Sequence, residues 1–235
     1  MIRVAVAGIH GKMGTMAAQV IRDAEDLELV GGFARERDAG NAVFSDFAQM
    51  LQQTEPDVVV DFTTHPVTVE LARECVEHAV SPVIGSSAWT NAETKDLRAL
   101  AEKHGVGAML VPNFALGAVL MMRFAEQAAK IFSSVEIIEM HHERKKDKPS
   151  GTARATAERL RPFVAKDVAI HSLRLQGVLA HQEVIFGGPG ERLSIQHNSL
   201  SRDSFAAGLL FAVRNVRKQK DFTVGLDSLV DGLLR

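Results

Sequence analysis

The opening of the chain constrains the fold more than any other stretch. An apolar run at residues 2–7 is followed by Gly8-Ile9-His10-Gly11-Lys12-Met13-Gly14 and then by an amphipathic helical pattern over 15–24. A short apolar run stopped by glycine reads as a buried strand. In the order strand, glycine loop, helix, the glycines permit a tight turn and let a pyrophosphate lie against backbone N–H groups at the helix N-terminus. The spacing is GxxGxxG rather than GxGxxG, so the motif needs support from its context. Further apolar runs at 27–34, 57–62, 82–85 and 108–111 read as strands, with helical stretches between most of them. Such alternation implies a parallel, doubly wound sheet.

The expected fold class is therefore α/β, with a Rossmann-type doubly wound parallel sheet over 1–115, to which 215–235 returns. The residue after the second strand of such a sheet reports on the dinucleotide: an acidic side chain suits a ribose 2′-OH and an arginine suits a 2′-phosphate. Arg35 stands there, with Glu36 and Arg37 beside it, and Lys12 in the glycine loop could reach the same phosphate. This favours NADPH, and Glu36 leaves room for NADH. Ligands of open α/β sheets bind outside the carboxyl ends of the strands. The loops Asp61-Phe62-Thr63-Thr64, Gly85-Ser86-Ser87 and Val111-Pro112-Asn113-Phe114 should then line the nicotinamide side. The cofactor candidates are Gly8, Ile9, His10, Gly11, Lys12, Met13, Arg35, Phe62, Gly85, Ser86, Ser87, Val111, Pro112, Asn113 and Phe114.

After Asn113-Phe114 the pattern changes. One helix is expected over 115–132, a second over 152–164, strands at 169–175, 181–186 and 192–198, and helices at 204–216 and 226–234. Residues 116–214 thus read as a second, mixed-sheet α+β domain. Its densest segment is VEIIEMHHERKKDKPSGTA at 135–153, where His141 and His142 end an apolar strand pattern. Ser150 suits a helix N-cap, and Gly151 lets a ligand approach the N–H groups of the first turn. With Lys145, Lys146 and Lys148 just before it, this segment would suit a small ligand carrying carboxylates. Taken by composition alone, ERKKDK reads first as a solvated charged loop, and it is the adjacent histidines that shift the balance towards a site.

Several classes are disfavoured. The formal net charge of -2 and the lack of aromatic residues among the lysines argue against nucleic-acid binding. No HExxH spacing accompanies the paired histidines, so no metal is expected. The apolar stretch at 106–122 is too short and interrupted to span a membrane, and the N-terminus lacks a signal core. A single cysteine, Cys75, excludes an internal disulfide and suits a reducing compartment, so a cytoplasmic protein is expected. At 235 residues with 46% hydrophobic content, two domains are within reach.

The strings GIHGKMG, DFT, GSSAW, VPNFALG, EIIEMHHERKKDKPSGTA and SRDSFAAG, taken together, resemble the 4-hydroxy-tetrahydrodipicolinate reductase (dihydrodipicolinate reductase) family over essentially the whole chain. The resemblance implies NAD(P)H-dependent reduction of a cyclic dicarboxylate imine in diaminopimelate and lysine biosynthesis, two domains that close on substrate, and a homotetramer. It implies proton transfer by His141 and Lys145, and substrate binding by His142, Ser150, Gly151 and Thr152. Two departures stand out. Ala88 replaces the usual glycine of a GTTG loop, and Lys148 stands in an Asp-Lys-Pro where Asp-Ala-Pro is typical. Neighbours on a strand point to opposite faces, so His141 and His142 cannot meet one substrate in the same way. Alternatives are a related dehydrogenase of amino acids or semialdehydes, and a regulator that binds NADPH without turnover.

Overall fold

The computed structural model describes residues 1–36, 42–86 and 88–234. The chain divides into two compact units, Met1–Phe114 with Phe205–Arg235, and Ala115–Ser204. The chain re-enters the first unit at Phe205, ahead of the return at 215 expected from sequence, because the helical run beginning there belongs to the first core.

The first unit carries a seven-stranded parallel sheet. Its strands are β1 (Ile2–Ala7), β2 (Leu27–Phe33), β3 (Val43–Phe44), β4 (Val58–Asp61), β5 (Ser81–Ile84), β6 (Ala108–Leu110) and, after the second unit, β11 (Phe222–Val224). They lie in the order β11-β6-β5-β4-β1-β2-β3. The central strands are apolar because helices cover both faces: Val4, Ala5, Val6, Val58, Val59 and Val60 are wholly buried. The helices are α1 (Lys12–Arg22), α2 (Phe47–Thr54), α3 (Val67–Glu77), α4 (Asn91–His104), α7 (Ala206–Val216) and α8 (Asp227–Leu233). Strand order reverses between β1 and β4, which both pair with parallel register, so the crevice expected of such sheets opens at their carboxyl ends. Cys75 is buried on α3, where desolvation pushes its thiol well up, which suits a structural rather than a reactive role.

In the second unit, α5 (Leu116–Ala129) leads to β7 (Ser134–His142), and α6 (Gly151–Leu160) crosses over to β8 (Ala169–Leu175). The meander β9 (Ala180–Gly188) and β10 (Glu191–Ser199) completes a four-stranded mixed sheet, β10-β9-β7-β8, with only β7 and β8 parallel. One face, from Val135, Ile137, Val184 and Phe186, packs on Met121, Ala125, Ala153 and Leu160 of the two helices. On the opposite face Leu173 and Leu175 stay 38% and 48% exposed. Together the units realise the parallel α/β sheet with a separate mixed sheet that the alternation of elements implied.

Candidate functional site

Two groups of candidate residues lie in the two units. In the first, Gly8 follows β1 with φ +74, the left-handed region that a Cβ disfavours. The Gly11 N–H closes the turn onto the Gly8 carbonyl at 2.9 Å. Helix α1 begins at Lys12, three residues earlier than its sequence pattern suggests, so Gly14 lies inside the helix. There a Cβ would overlap the Gly8 carbonyl; the missing side chain is what lets helix and strand approach. Gly11 caps α1 with no side-chain hydrogen bond, and the first turn holds no acidic residue. A helix start of this kind accepts an anion.

Beside it lies a cavity of about 430 Å³ lined by Met13, Phe62, Thr63, Thr64, His65, Gly85, Ser86 and Ala88. Its walls are the first turn of α1 and the loops after β4 and β5. The Asp61 carboxylate accepts from the Thr63 N–H at 2.6 Å and so turns the chain at the end of β4. Gly85 carries no Cβ because the ring of Phe62 fills that space, and Phe62 in turn meets Phe114 edge-on at 5.6 Å. His65 is tied to Glu93 at 2.8 Å, and Glu93 also closes the capping box of α4 with Thr90. The Thr90 N–H first, and then His65, hold the Glu93 carboxyl at about 2. A larger hollow, about 620 Å³, lies near Asp23, Asp26 and Arg214. It adjoins the amino end of β2, the wrong end of the strands for a ligand of this fold.

The cavity thus brings together Met13, Phe62, Gly85 and Ser86 of the residues expected from sequence. His10, Gly11 and Lys12 are exposed on the glycine loop, and Arg35 is exposed just past β2. Ile9, Val111 and Phe114 are core residues by their side chains, and Pro112 and Asn113 do not line the cavity. Ser87 and Arg37 lie outside the described residues. His65 and Ala88 line the cavity without having been singled out as contacts; nothing in the residue types marks them. Ala88 adopts φ +77, consistent with a position where glycine is the unstrained choice.

In the second unit, alternation along β7 puts Val135, Ile137, Glu139 and His141 on the helix-facing side, and His142 on the other. His141 and His142 therefore do not share a face. His142 is exposed, and its carbonyl accepts from the Lys145 N–H at 3.1 Å, which starts the loop to α6. The Nδ1 of His141 lies 2.5 Å from an oxygen of Glu139, a wholly buried residue. Arg174 on β8 grips the same carboxylate with two nitrogens, at 2.9 and 3.0 Å, and donates to the Lys145, Asp147 and Leu173 carbonyls at 3.2, 2.6 and 2.6 Å. The Ser150 N–H reaches the other side of Glu139 at 3.3 Å.

Electrostatics follow from these contacts. Burial pushes the Glu139 carboxyl up, but hydrogen bonds from Arg174, Ser172 and His141 outweigh it and hold the group at about 2. His141 moves down from 6.5, first through burial and further through the charges of Lys145 and Arg174, which outweigh the pull of Glu139. A carboxylate only accepts, so the Nδ1 of His141 carries the proton and neutral His141 presents a bare Nε2. The Lys145 amine is paired with Asp147 at 2.9 Å, a contact that holds Asp147 below the usual carboxylate range. Ser150 caps α6, accepting from the Ala153 N–H at 3.2 Å. Gly151 opens the helix with open space where a Cβ would be, and no acidic residue follows in the first turn. Glu139 and Arg174 escaped the sequence reading. The one signal for Glu139 was a carboxylate two residues before His141 in an apolar strand.

A family profile described as dihydrodipicolinate reductase, N-terminus, matches residues 2–114, and one described as dihydrodipicolinate reductase, C-terminus, matches residues 117–230. The chain belongs to the dihydrodipicolinate reductase family. It is 40% identical to a 4-hydroxy-tetrahydrodipicolinate reductase of Listeria monocytogenes, over 98% of this chain and 100% of the relative. Identity is 36% to the corresponding reductase of Bacillus licheniformis, over 98% of each chain. Among solved structures, a dipicolinate-bound dihydrodipicolinate reductase from Paenisporosarcina sp. TG-14 superposes with a TM-score of 0.91 at 35% identity, covering 97% of this chain and 99% of that one. The N-terminal profile covers the part of the first unit that holds the glycine loop, and the C-terminal profile covers the second unit from residue 117 and runs on past the return at Phe205.

Proposed function

We propose that this protein is a 4-hydroxy-tetrahydrodipicolinate reductase, an NAD(P)H-dependent enzyme of diaminopimelate and lysine biosynthesis. The observation that carries the reading is the segment from Glu139 to Thr152, where an anchored histidine, a lysine and an open helix start follow one another within one strand, loop and helix. A reduced nicotinamide supplies the hydride when bound. Gly8, Gly14 and the start of α1 fit its pyrophosphate, since helix and strand meet there without side chains and no side chain caps the helix start. The aromatic-walled cavity between Phe62, Gly85 and Ser86 fits its flat ring.

The chain's own residues then handle carboxylates and protons. The first turn of α6, opened by Gly151 with space where a Cβ would be and with no acidic residue, binds one substrate carboxylate at its positive end, beside Thr152. Loss of the 4-hydroxyl as water gives a C=C conjugated with the imine. Hydride added at its carbon distal to the ring nitrogen sends negative charge towards that nitrogen, where a cation or acid lowers the barrier. Lys145 is the proton donor. His141, neutral and oriented by Glu139, accepts or passes a proton at Nε2. His142, on the other face, supports substrate from the strand end.

The finer features are part of the same proposal. Arg35 and Lys12 favour NADPH, with NADH accepted beside Glu36. The exposed Leu173 and Leu175 on the outer face of the mixed sheet support assembly into a homotetramer. The decisive experiment supplies freshly generated substrate from pyruvate and aspartate semialdehyde with the preceding synthase, and follows loss of NADPH absorbance, with NADH in parallel. Rapid oxidation is expected. Its absence in protein that still binds NADPH would favour a regulator.

A further inference from the structure

We infer that Glu139 and Arg174 are a positioning pair for the two proton-handling residues: Glu139 fixes the ring of His141, and Arg174 fixes the loop that carries Lys145. The inference rests on the reading of this site as a reductase site, and it adds two residues that reach the chemistry only through others.

The geometry supports it in three steps. First, the pair is unusually well satisfied. Arg174 has five N–H donors, and all five have acceptors: two on Glu139, and one each on the Lys145, Asp147 and Leu173 carbonyls. Glu139 receives Arg174, His141 and the Ser150 N–H. Second, the pair is out of water, with side chains 7% and 0% exposed. Charges buried this deeply gain little stability over an apolar packing of the same volume. The same face of β7 is in fact apolar at Val135 and Ile137, and turns ionic only at Glu139, next to the histidine. Third, the contacts converge on the site. One carboxylate touches His141, the N-cap residue of α6 and the guanidinium that holds the loop between them. The parallel register that puts His141 opposite Arg174 makes this possible.

Glu139 does not take the proton. Its role is to hold Nδ1–H, so that the proton-accepting lone pair sits at Nε2 and points the same way in every molecule; a wrong tautomer at such a position is costly in other enzymes.

Glu139→Gln keeps the shape and removes the charge. The expected result is a fall of about 10²-fold in kcat with little change in KM, an acid limb of the rate profile displaced to lower pH, and mixed Nδ1–H and Nε2–H tautomers for His141 in its nitrogen NMR spectrum. Because this variant strands the Arg174 charge, the double variant Glu139→Gln with Arg174→Gln serves beside it. Its thermal stability is expected to recover towards wild type while kcat stays low. A double variant that folds and turns over like wild type would make the pair a fold element only and overturn the inference. So would an unchanged His141 tautomer in Glu139→Gln. If the wild-type protein reduces no substrate, the reductase reading fails, and the NMR measurement still decides whether Glu139 orients His141.

Discussion

Gly14 packs directly against the carbonyl of Gly8, so the first helix of the chain touches the end of the first strand through bare backbone. A methyl group at Gly14 has nowhere to go without displacing main chain on one side or the other. Gly14→Ala is expected to destabilise the first unit by about 1–3 kcal/mol, the usual cost of overpacking, and to weaken NADPH binding because the helix start is pushed from the loop. Thermal unfolding with and without cofactor checks both effects.

Lys145→Ala is expected to lower turnover by at least ~10² while leaving cofactor affinity nearly unchanged. The amine sits in the second unit, whereas the glycine loop belongs to the first. Steady-state rates and a separate NADPH titration measure the two quantities; an unaltered rate would remove Lys145 from the mechanism.

Arg35→Ala should raise the Michaelis constant for NADPH and hardly change that for NADH, since a guanidinium beyond β2 distinguishes the two only through the 2′-phosphate. Equal effects on both cofactors would reject that role.

The acid behaviour of the second unit follows from two depressed groups. Glu139 is held at about 2 against an ordinary 4.5, so its contribution to stability is complete above 4.5 and is lost as pH falls through the folded value. His141 lies below its ordinary 6.5, so the native state resists its protonation and loses stability as pH falls from 6.5 through the lowered value. The rate should fall over the same interval, with an acid limb below 6.5, if neutral His141 is the active form. Melting temperature and kcat/KM followed from pH 8 downwards test this, and Glu139→Gln should flatten the lower stability window.

Ala88 holds φ +77 at the rim of the cavity. Ala88→Gly should relieve that backbone strain, offset in part by the greater freedom of glycine in the unfolded chain, for a net gain of roughly 0.5 kcal/mol. Differential scanning fluorimetry resolves a shift of that sign; a clear loss of stability would show the loop to be built around the methyl group.

Much of the architecture was legible because the central strands of the parallel sheet are nearly unbroken apolar runs, whereas a strand such as β8 alternates between its two faces. The sequence limits of β1 and β8 coincide with the structural ones. What escaped was short or distant. β3 and β11, of two and three residues, are too brief for any periodicity, yet they form both edges of the parallel sheet. Gly11 and Gly14 look like loop residues, so the start of α1 reads late; only the close approach to Gly8 explains a glycine inside the helix. The paired histidines and the Ser150 cap stand out by residue type. Arg174 does not, because its partnership with Glu139 depends on strand register across 35 positions.

The grip of Arg174 on the loop before α6 falls on carbonyl oxygens, those of Lys145 and Asp147. Carbonyls are common to all residues, so this anchoring is indifferent to the side chains it passes. Arg144, Lys146 and Lys148 are left at liberty to be exchanged without unfastening the loop, and the cation at Lys148 can be understood as a change that the scaffold never had to accommodate. Variation among relatives in this stretch should therefore tune charge around the ligand while the frame beneath it keeps its form.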